Sequence, residues 1–353
     1  MISEIKLQSF RCYLRRRFVL SPGVSVFYGP NGSGKTSVLE ALMVVCRGGS
    51  FRGSDQDLLK TNHQWWRLES LAGDSQRTVV YDSRLAAGKK HYVINGQKKQ
   101  RLPASLRLPV VLFEPGDLRL LGGSPARRRR FLDNLISQIE PAYAPLIARY
   151  ERSLKQRNNL LKSDRLNPDE LFVWDITLSN LAAQITAKRQ EYAAAVNRQL
   201  LAVHGQVSGR KDKVGLTYRS LAGDGSRPPD NLAQYALGQL GKSRQKDLAL
   251  GYTSSGPHRD DLNFYINRRD AASSASRGET RSLVLALKFI ELNIIEQLTG
   301  HQPLLLLDDV LSELDESRRH ALLSSRPHGQ TIITTTDVDN AQIKYKDAVF
   351  IGL

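Results

Sequence analysis

Residues 29–36 read Gly-Pro-Asn-Gly-Ser-Gly-Lys-Thr, and this octet restricts the fold more than any other stretch of the chain. It fits G-x-x-x-x-G-K-[ST], a loop whose backbone N–H groups converge on the phosphates of a nucleotide. Glycine is needed because a side chain would block that approach. The loop acts between a strand and a helix, and its flanks comply. Val24 to Tyr28 is a short β-branched and aromatic run. From about Thr36, Val38, Leu39, Leu42 and Val45 share one helix face, which Gly48 and Gly49 close. Gly29, Pro30, Asn31, Gly32, Ser33, Gly34, Lys35, Thr36 and Ser37 are therefore the candidate ATP contacts. Lys35 is expected to bridge β- and γ-phosphate oxygens, and the Thr36 hydroxyl to ligate Mg²⁺.

Such a loop needs a carboxylate at the end of a neighbouring strand to hold the metal shell. Leu304 to Leu307 is a continuous apolar run, as expected of a strand covered on both faces, and it ends in Asp308 and Asp309. Asp308 is the candidate metal ligand, and Asp309 the group to polarise an attacking water. Upstream, Ser276-Arg277-Gly278-Glu279 opens a strongly apolar helix from Thr280 to Leu298. Taken alone, S-x-G-E reads as a helix cap. Its place about 30 residues before the carboxylate strand makes it more telling. Ser312-Glu313-Leu314-Asp315 follows, then a β-branched strand from Thr331 to Thr336, ended by Asp337.

The middle of the chain differs in kind. Strand candidates at Thr78 to Tyr81, Tyr92 to Ile94 and Pro109 to Phe113 give way at Ser124-Pro125 to helical spacing, with Asn95-Gly96 marking a hairpin turn. Leu132, Leu135, Ile136 and Ile139 form one stripe, Tyr143 to Leu154 a second, and Trp174 to Leu200 a third. Two or three helices folding back on one another make an arm; a helix of about 35 residues reaches roughly 50 Å. From Gly209 the chain is polar and Gly-rich, with a strand near Val214 to Tyr218. The fold class expected is α/β: a P-loop head built from residues 1–120 and 247–353, with a helical arm over 121–246.

Formal charge is +16, from 51 Lys and Arg against 35 Asp and Glu, which suits a polyanionic partner, most commonly nucleic acid. Arg15 to Arg17, Arg52, Lys89-Lys90, Lys98-Lys99 and Arg127 to Arg130 are candidate phosphate contacts, and each also reads as a solvated face. No base-reading motif is visible, so recognition of DNA structure rather than sequence is expected. Cys12 and Cys46 lack metal-ligand spacing, and no apolar run is long enough for a membrane span. The N-terminal residues have no signal-type apolar core, so a cytoplasmic protein is expected.

The order of P-loop, helical insertion, S-x-G-E, LLLLDD and S-E-L-D resembles the ABC-type ATPases of the SMC group. Phe10-Arg11 with Tyr13, Arg129-Arg130-x-Leu132-Asp133, and Gly256-Pro257-His258-Arg259-Asp260-Asp261 are similar to the RecF family of bacterial recombination mediators within it. The resemblance covers essentially the whole chain. It implies an ABC-type head in which ATP lies between two copies. One copy gives the P-loop, Asp308 and Asp309; the other gives Ser276, Gly278 and Glu279, with Ser276 at the γ-phosphate. It also implies a weak Mg²⁺-dependent ATPase and an ATP-dependent homodimer that binds duplex, gapped or junction DNA. RecR, and through it RecO, are the implied partners in loading RecA during repair and replication. A second reading is a dimeric DNA-binding module gated by ATP with negligible hydrolysis. Two departures stand out: Asp309 replaces the usual Glu, and Thr334-Thr335-Thr336-Asp337 lacks a switch His. Glu114 lies where the lobe-junction Gln is expected, and Ser50-Phe51-Arg52-Gly53 resembles an arginine loop of SMC heads.

Overall fold

A computed structural model describes residues 1–86, 89–163, 165, 167–220, 231–310, 318, 329–336 and 348–353. Asp315 and the rest of the S-E-L-D stretch lie outside the described residues, as does Asp337.

The first compact unit comprises Met1–Asp117 and Ile295–Leu353. In chain order it contains β1 (Ile2–Phe10), β2 (Tyr13–Val19), β3 (Val24–Tyr28), α1 (Lys35–Arg47), β4 (Trp65–Ala72), β5 (Ser75–Asp82), β6 (Lys90–Ile94), β7 (Gln97–Lys99) and β8 (Val110–Phe113). The second unit, Leu118–Ile294, contains α2 (Pro125–Ile139), α3 (Tyr143–Leu161), α4 (Pro168–Ser208), β9 (Val214–Arg219), α5 (Leu232–Leu250), β10 (Asp261–Ile266), β11 (Arg269–Asp270), α6 (Ala271–Ser274) and most of α7 (Arg277–Thr299). The chain then returns to the first unit for β12 (Leu304–Asp308), β13 (Thr331–Thr335) and β14 (Val349–Gly352).

Two sheets share the first unit. The nucleotide-type sheet runs β14-β3-β13-β12-β8 with every pairing parallel, so both termini contribute strands to it. β12 and β13 are buried at every position, which is why their sequences read as unbroken apolar or β-branched runs. The other sheet, β2-β1-β4-β5-β6-β7, is antiparallel throughout. Its inward positions alternate with polar ones, as Ile5 and Leu7 alternate with Lys6 and Gln8. Helix α1 packs against strands of both sheets, and Val38, Leu39, Leu42 and Val45 join Phe10, Trp66 and Ile332 in one core. Asn95 and Gly96 both take positive φ between β6 and β7, the turn their sequence demands.

In the second unit, α3, α4 and α5 bury Tyr150, Leu178, Ile185, Ala236 and Leu240 together. α4 has 41 residues and so spans about 60 Å, longer than its apolar periodicity indicates. Asn167 caps its start by accepting from Asp169 N and Glu170 N. Arg157 is fully buried among these helices. Its Nε donates to Asp175 at 2.6 Å, and its Nη1 to Asp247 at 2.8 Å and Thr253 at 2.8 Å. Residues 247–294 group with this helical unit rather than with the head segments expected from sequence. The physical reason is that β10 pairs along β9 from Asp261 to Ile266, while Arg128 makes a bidentate bond to Asp261 at 2.7 and 2.8 Å.

Candidate nucleotide-binding site

The loop between β3 and α1 has the backbone its glycines permit. Gly32 and Gly34 take φ of 84° and 102°, conformations that disfavour a side chain. Gly34 is also crowded: a Cβ there would lie 2.5 Å from Cys12 Sγ and 2.6 Å from Tyr13 Oη. The β1–β2 hairpin therefore leans on the loop. The Lys35 ammonium folds back over it, donating to Gly29 O at 2.7 Å and Pro30 O at 3.0 Å. Ser33 Oγ is buried without a hydrogen-bond partner. An orphan hydroxyl, positive-φ glycines and a lysine over the loop, all at a helix N-terminus, fit a bound polyphosphate.

Asp308 closes the other side. Its Oδ1 accepts from Thr36 Oγ1 at 2.9 Å and Thr334 Oγ1 at 3.0 Å; its Oδ2 accepts from Arg52 Nη2 at 2.7 Å. Residues 272 positions apart in sequence are thus joined directly, because β12 is two strands from β3 in the parallel sheet. The donor set of a threonine hydroxyl beside a buried carboxylate suits Mg²⁺, which Thr36 and Asp308 could hold. Asp309 has φ of 55°, and its N–H donates to Thr334 Oγ1 at 3.0 Å, so β13 holds its backbone at the end of β12.

Sequence reasoning singled out Arg11, Ser50 and Arg52 but missed Glu40, the residue that links them. Arg11 grips Glu40 through two bonds, of 2.9 and 2.6 Å, and Ser50 Oγ donates to the same carboxylate at 2.7 Å. Ser50 Oγ in turn accepts from Arg52 N at 3.1 Å. A chain of contacts thus runs from Arg11 through Glu40, Ser50 and Arg52 to Asp308. The available signal was Glu40 itself, a lone acid in the apolar run of α1, and it is 2% exposed. Thr334, in the run that lacks a switch His, is wholly buried and spends its hydroxyl on Asp308 and Asp309. Glu114 lies 3.9 Å from Arg52 Nε.

Ser276, Gly278 and Glu279 sit at the start of α7, in the second unit. Ser276 N donates to Glu279 Oε2 at 2.8 Å and Glu279 N to Ser276 Oγ at 3.2 Å, a reciprocal capping box. The bonds from Ser276 hold the Glu279 carboxyl below its ordinary range.

The basic runs divide. Arg15 to Arg17 are exposed on edge strand β2 and, with Lys6, line a groove of about 500 Å³. Lys90 is structural, bound to Gly48 O at 2.7 Å and paired with Asp55. Within Arg127 to Arg130, Arg128 holds Asp261 and Arg129 donates to Asp260 O at 2.7 Å. Among the described residues, no helix is long and apolar enough to cross a membrane.

Comparison with known proteins agrees with this geometry. The family model described as RecF/RecN/SMC N terminal domain matches residues 1–348. A protein of Heliobacterium modesticaldum named DNA replication and repair protein RecF is 37% identical over 347 residues, covering 95% of this chain and 92% of its own. Its counterpart in Symbiobacterium thermophilum is 37% identical over 353 residues, covering 97% and 93%. A solved structure of the recombination mediator protein RecF with ATP, in the RecFOR pathway, superposes with a TM-score of 0.86 at 31% identity, covering 95% of this chain and 92% of that one. An Smc head domain with an extended coiled coil from Pyrococcus furiosus shares the fold at 14% identity and a TM-score of 0.53, covering 96% and 90%. With a phosphate loop, a strand-end carboxylate and near full-length similarity in agreement, the chain belongs to the RecF family within the RecF/RecN/SMC group, and its head has the ABC-type ATPase fold.

Proposed function

We propose that this protein is an ATP-dependent DNA clamp with slow Mg²⁺-dependent ATPase activity, acting in repair and replication. The direct bond from Thr36 Oγ1 to Asp308 Oδ1 supports the reading, because the two groups that would hold the metal meet next to the loop that carries Lys35. Lys35 would hold β- and γ-phosphate oxygens, Thr36 and Asp308 the Mg²⁺, and Asp309 would orient water. The bound metal would supply charge neutralisation on the triphosphate.

Loop and carboxylates belong to one compact unit, whereas Ser276 to Glu279 belong to the other. A composite site shared by two copies is the family expectation. In it Ser276 and the N-terminus of α7 would meet the γ-phosphate of the opposite copy. ATP would then fasten a dimer around DNA, and hydrolysis would release it. A net charge of +16 supports phosphate-backbone contact, with Arg15 to Arg17 the most accessible cluster. Gapped or junction DNA, RecR and RecO are the partners this reading assigns.

Light scattering of the purified chain with Mg²⁺ and ATP, with and without gapped duplex, tests the clamp. A dimer that appears with ATP, and that Ser276→Arg abolishes while monomer ATP binding persists, supports it. A wild-type chain that stays monomeric at saturating ATP defeats it. Single-turnover hydrolysis by Asp309→Asn separates an ATPase from a binding-only module: an unchanged rate favours the latter.

A further inference from the structure

At the end of α1 remote from the phosphate loop, the first unit has a recess of about 440 Å³. It opens where β8 and β12 begin, whereas Lys35 lies at the far end of α1, about 20 Å away along a helix of 13 residues. The recess is therefore separate from the nucleotide site. Ile2, Cys46 and Leu304 line its buried part, together with Arg77; Ser105 and His301 stand at its exposed rim.

Arg77 is the anomaly. It is 6% exposed. Its Nη1 donates to Leu106 O at 2.7 Å, and its Nε is buried with no hydrogen-bond partner. Arg107 also lines the recess, and its Nε is buried and unpartnered as well. None of the described residues lining the recess is Asp or Glu. The surroundings add positive charge: burial with repulsion from Arg107 brings nearby Arg47 down to about 10. Burial lowers Arg77 too. A desolvated guanidinium without a carboxylate is costly to fold around. It is well placed where an oxyanion arrives, since the planar fork presents several donors to phosphate or carboxylate oxygens.

We infer that this recess is a second, non-nucleotide anion site that binds a compact multivalent oxyanion through Arg77 and Arg107. Leu106, Leu108, Pro109 and Pro303 give it an apolar wall, which accommodates the organic body of a small polyphosphate or polycarboxylate ligand. Arg77 lies too deep for the backbone of a duplex, so a small ligand fits better than a polymer.

Calorimetric titration of the full chain carrying Lys35→Ala, with inorganic pyrophosphate in one arm and citrate in the other at matched ionic strength, tests the site. Saturable one-to-one binding of at least one probe is expected, weakened about tenfold or more by Arg77→Met, weakened less by Arg107→Gln, and unchanged by Lys155→Ala, an exposed position on α3. Pyrophosphate alone would point to phosphorylated ligands, citrate alone to carboxylates, and either supports the site. Absence of saturable binding by both probes, or wild-type affinity in both the Arg77 and Arg107 variants, overturns it. If Arg77→Met does not fold, Arg107→Gln on the rim decides the matter alone.

Discussion

Arg52 Nη2 lies 2.7 Å from Asp308 Oδ2, so the carboxylate that ends β12 is already neutralised by the loop that follows α1. The Asp308 side chain is 3% exposed and that of Arg52 45%, so a solvent-facing cation covers a buried anion. Thr36 and Thr334 take the other oxygen. The group that would hold a metal is thereby oriented by its own chain, and the position of Arg52 is fixed in turn by Ser50 and Glu40.

Replacing Arg52 with Gln should therefore have two opposed effects. In metal-free buffer the protein loses about 1 kcal/mol, a value kept small by the exposure of the guanidinium, which corresponds to a Tm about 2–4 °C lower. Mg²⁺ with ATP should then raise Tm by more than in wild type, because Asp308 Oδ2 no longer has a competing cation. Thermal melts with and without Mg²⁺ read both effects, and identical Mg²⁺-dependent shifts in the two proteins would remove Arg52 from the metal shell.

Thr334→Val keeps the shape of a wholly buried side chain while deleting its hydroxyl. Asp308 loses one donor and Asp309 N–H loses an acceptor at 3.0 Å, so stability should fall by about 1–2 kcal/mol. ATP hydrolysis should fall more than ATP binding, since the lost bonds orient both aspartates and not the phosphate loop. Equilibrium binding of a fluorescent ATP analogue beside steady-state turnover separates the two; equal losses in both would count against a positioning role.

Much of the head was legible because its chemistry and its periodicity coincide. The strand, glycine loop and helix at 24–47 are each demanded by the same ligand, and β12 and β13 are apolar because the parallel sheet buries both of their faces. Helix α5 was not legible. Gly238 and Gly241 interrupt it, and of its 19 residues only Ala236, Leu240 and Asp247 are buried. It is held by its Asn231 cap and by Asp247, which meets Arg157 from 90 positions away, and neither leaves a periodic trace. The basic run at 127–130 was legible only in part, for a related reason. Arg128 and Arg129 look like a polyanion contact, yet they hold Asp261 and Asp260, partners that only the tertiary fold identifies.

His258 should make the second unit sensitive to acid. Its ring is half-buried, with Nε2 donating to Thr253 O at 3.0 Å and Nδ1 accepting from Tyr150 Oη at 2.7 Å. Burial pushes its pKa down from 6.5 to about 4. Because the folded value is depressed for a base, the unfolded chain binds the proton more readily. Stability is therefore full above about pH 6.5 and declines as pH falls toward 4, by an amount on the order of 3 kcal/mol from this group. Urea unfolding monitored by helical circular dichroism at pH 7.5 and 4.5 should show the loss. His258→Gln should be less stable at pH 7.5 yet show a flatter profile; an equally steep profile would assign the effect to other groups.

Ser276 has two possible duties, and Ser276→Asp divides them. Its hydroxyl caps α7 through Glu279 N at 3.2 Å, a role that Asp performs equally well, so Tm should stay within about 1 °C of wild type. A carboxylate at that point would repel a γ-phosphate presented by a second copy, whereas the hydroxyl would donate to it. ATP-driven dimerisation should therefore fall at least tenfold in Ser276→Asp while monomer ATP binding stays unchanged. Ser276→Ala should show the reverse balance, losing about 1 kcal/mol of cap energy but retaining part of the dimer through the N–H groups at the start of α7. Sedimentation of the three proteins with Mg²⁺ and ATP reads the outcome. Normal dimers in Ser276→Asp would confine Ser276 to capping and leave the shared-site reading without its second half.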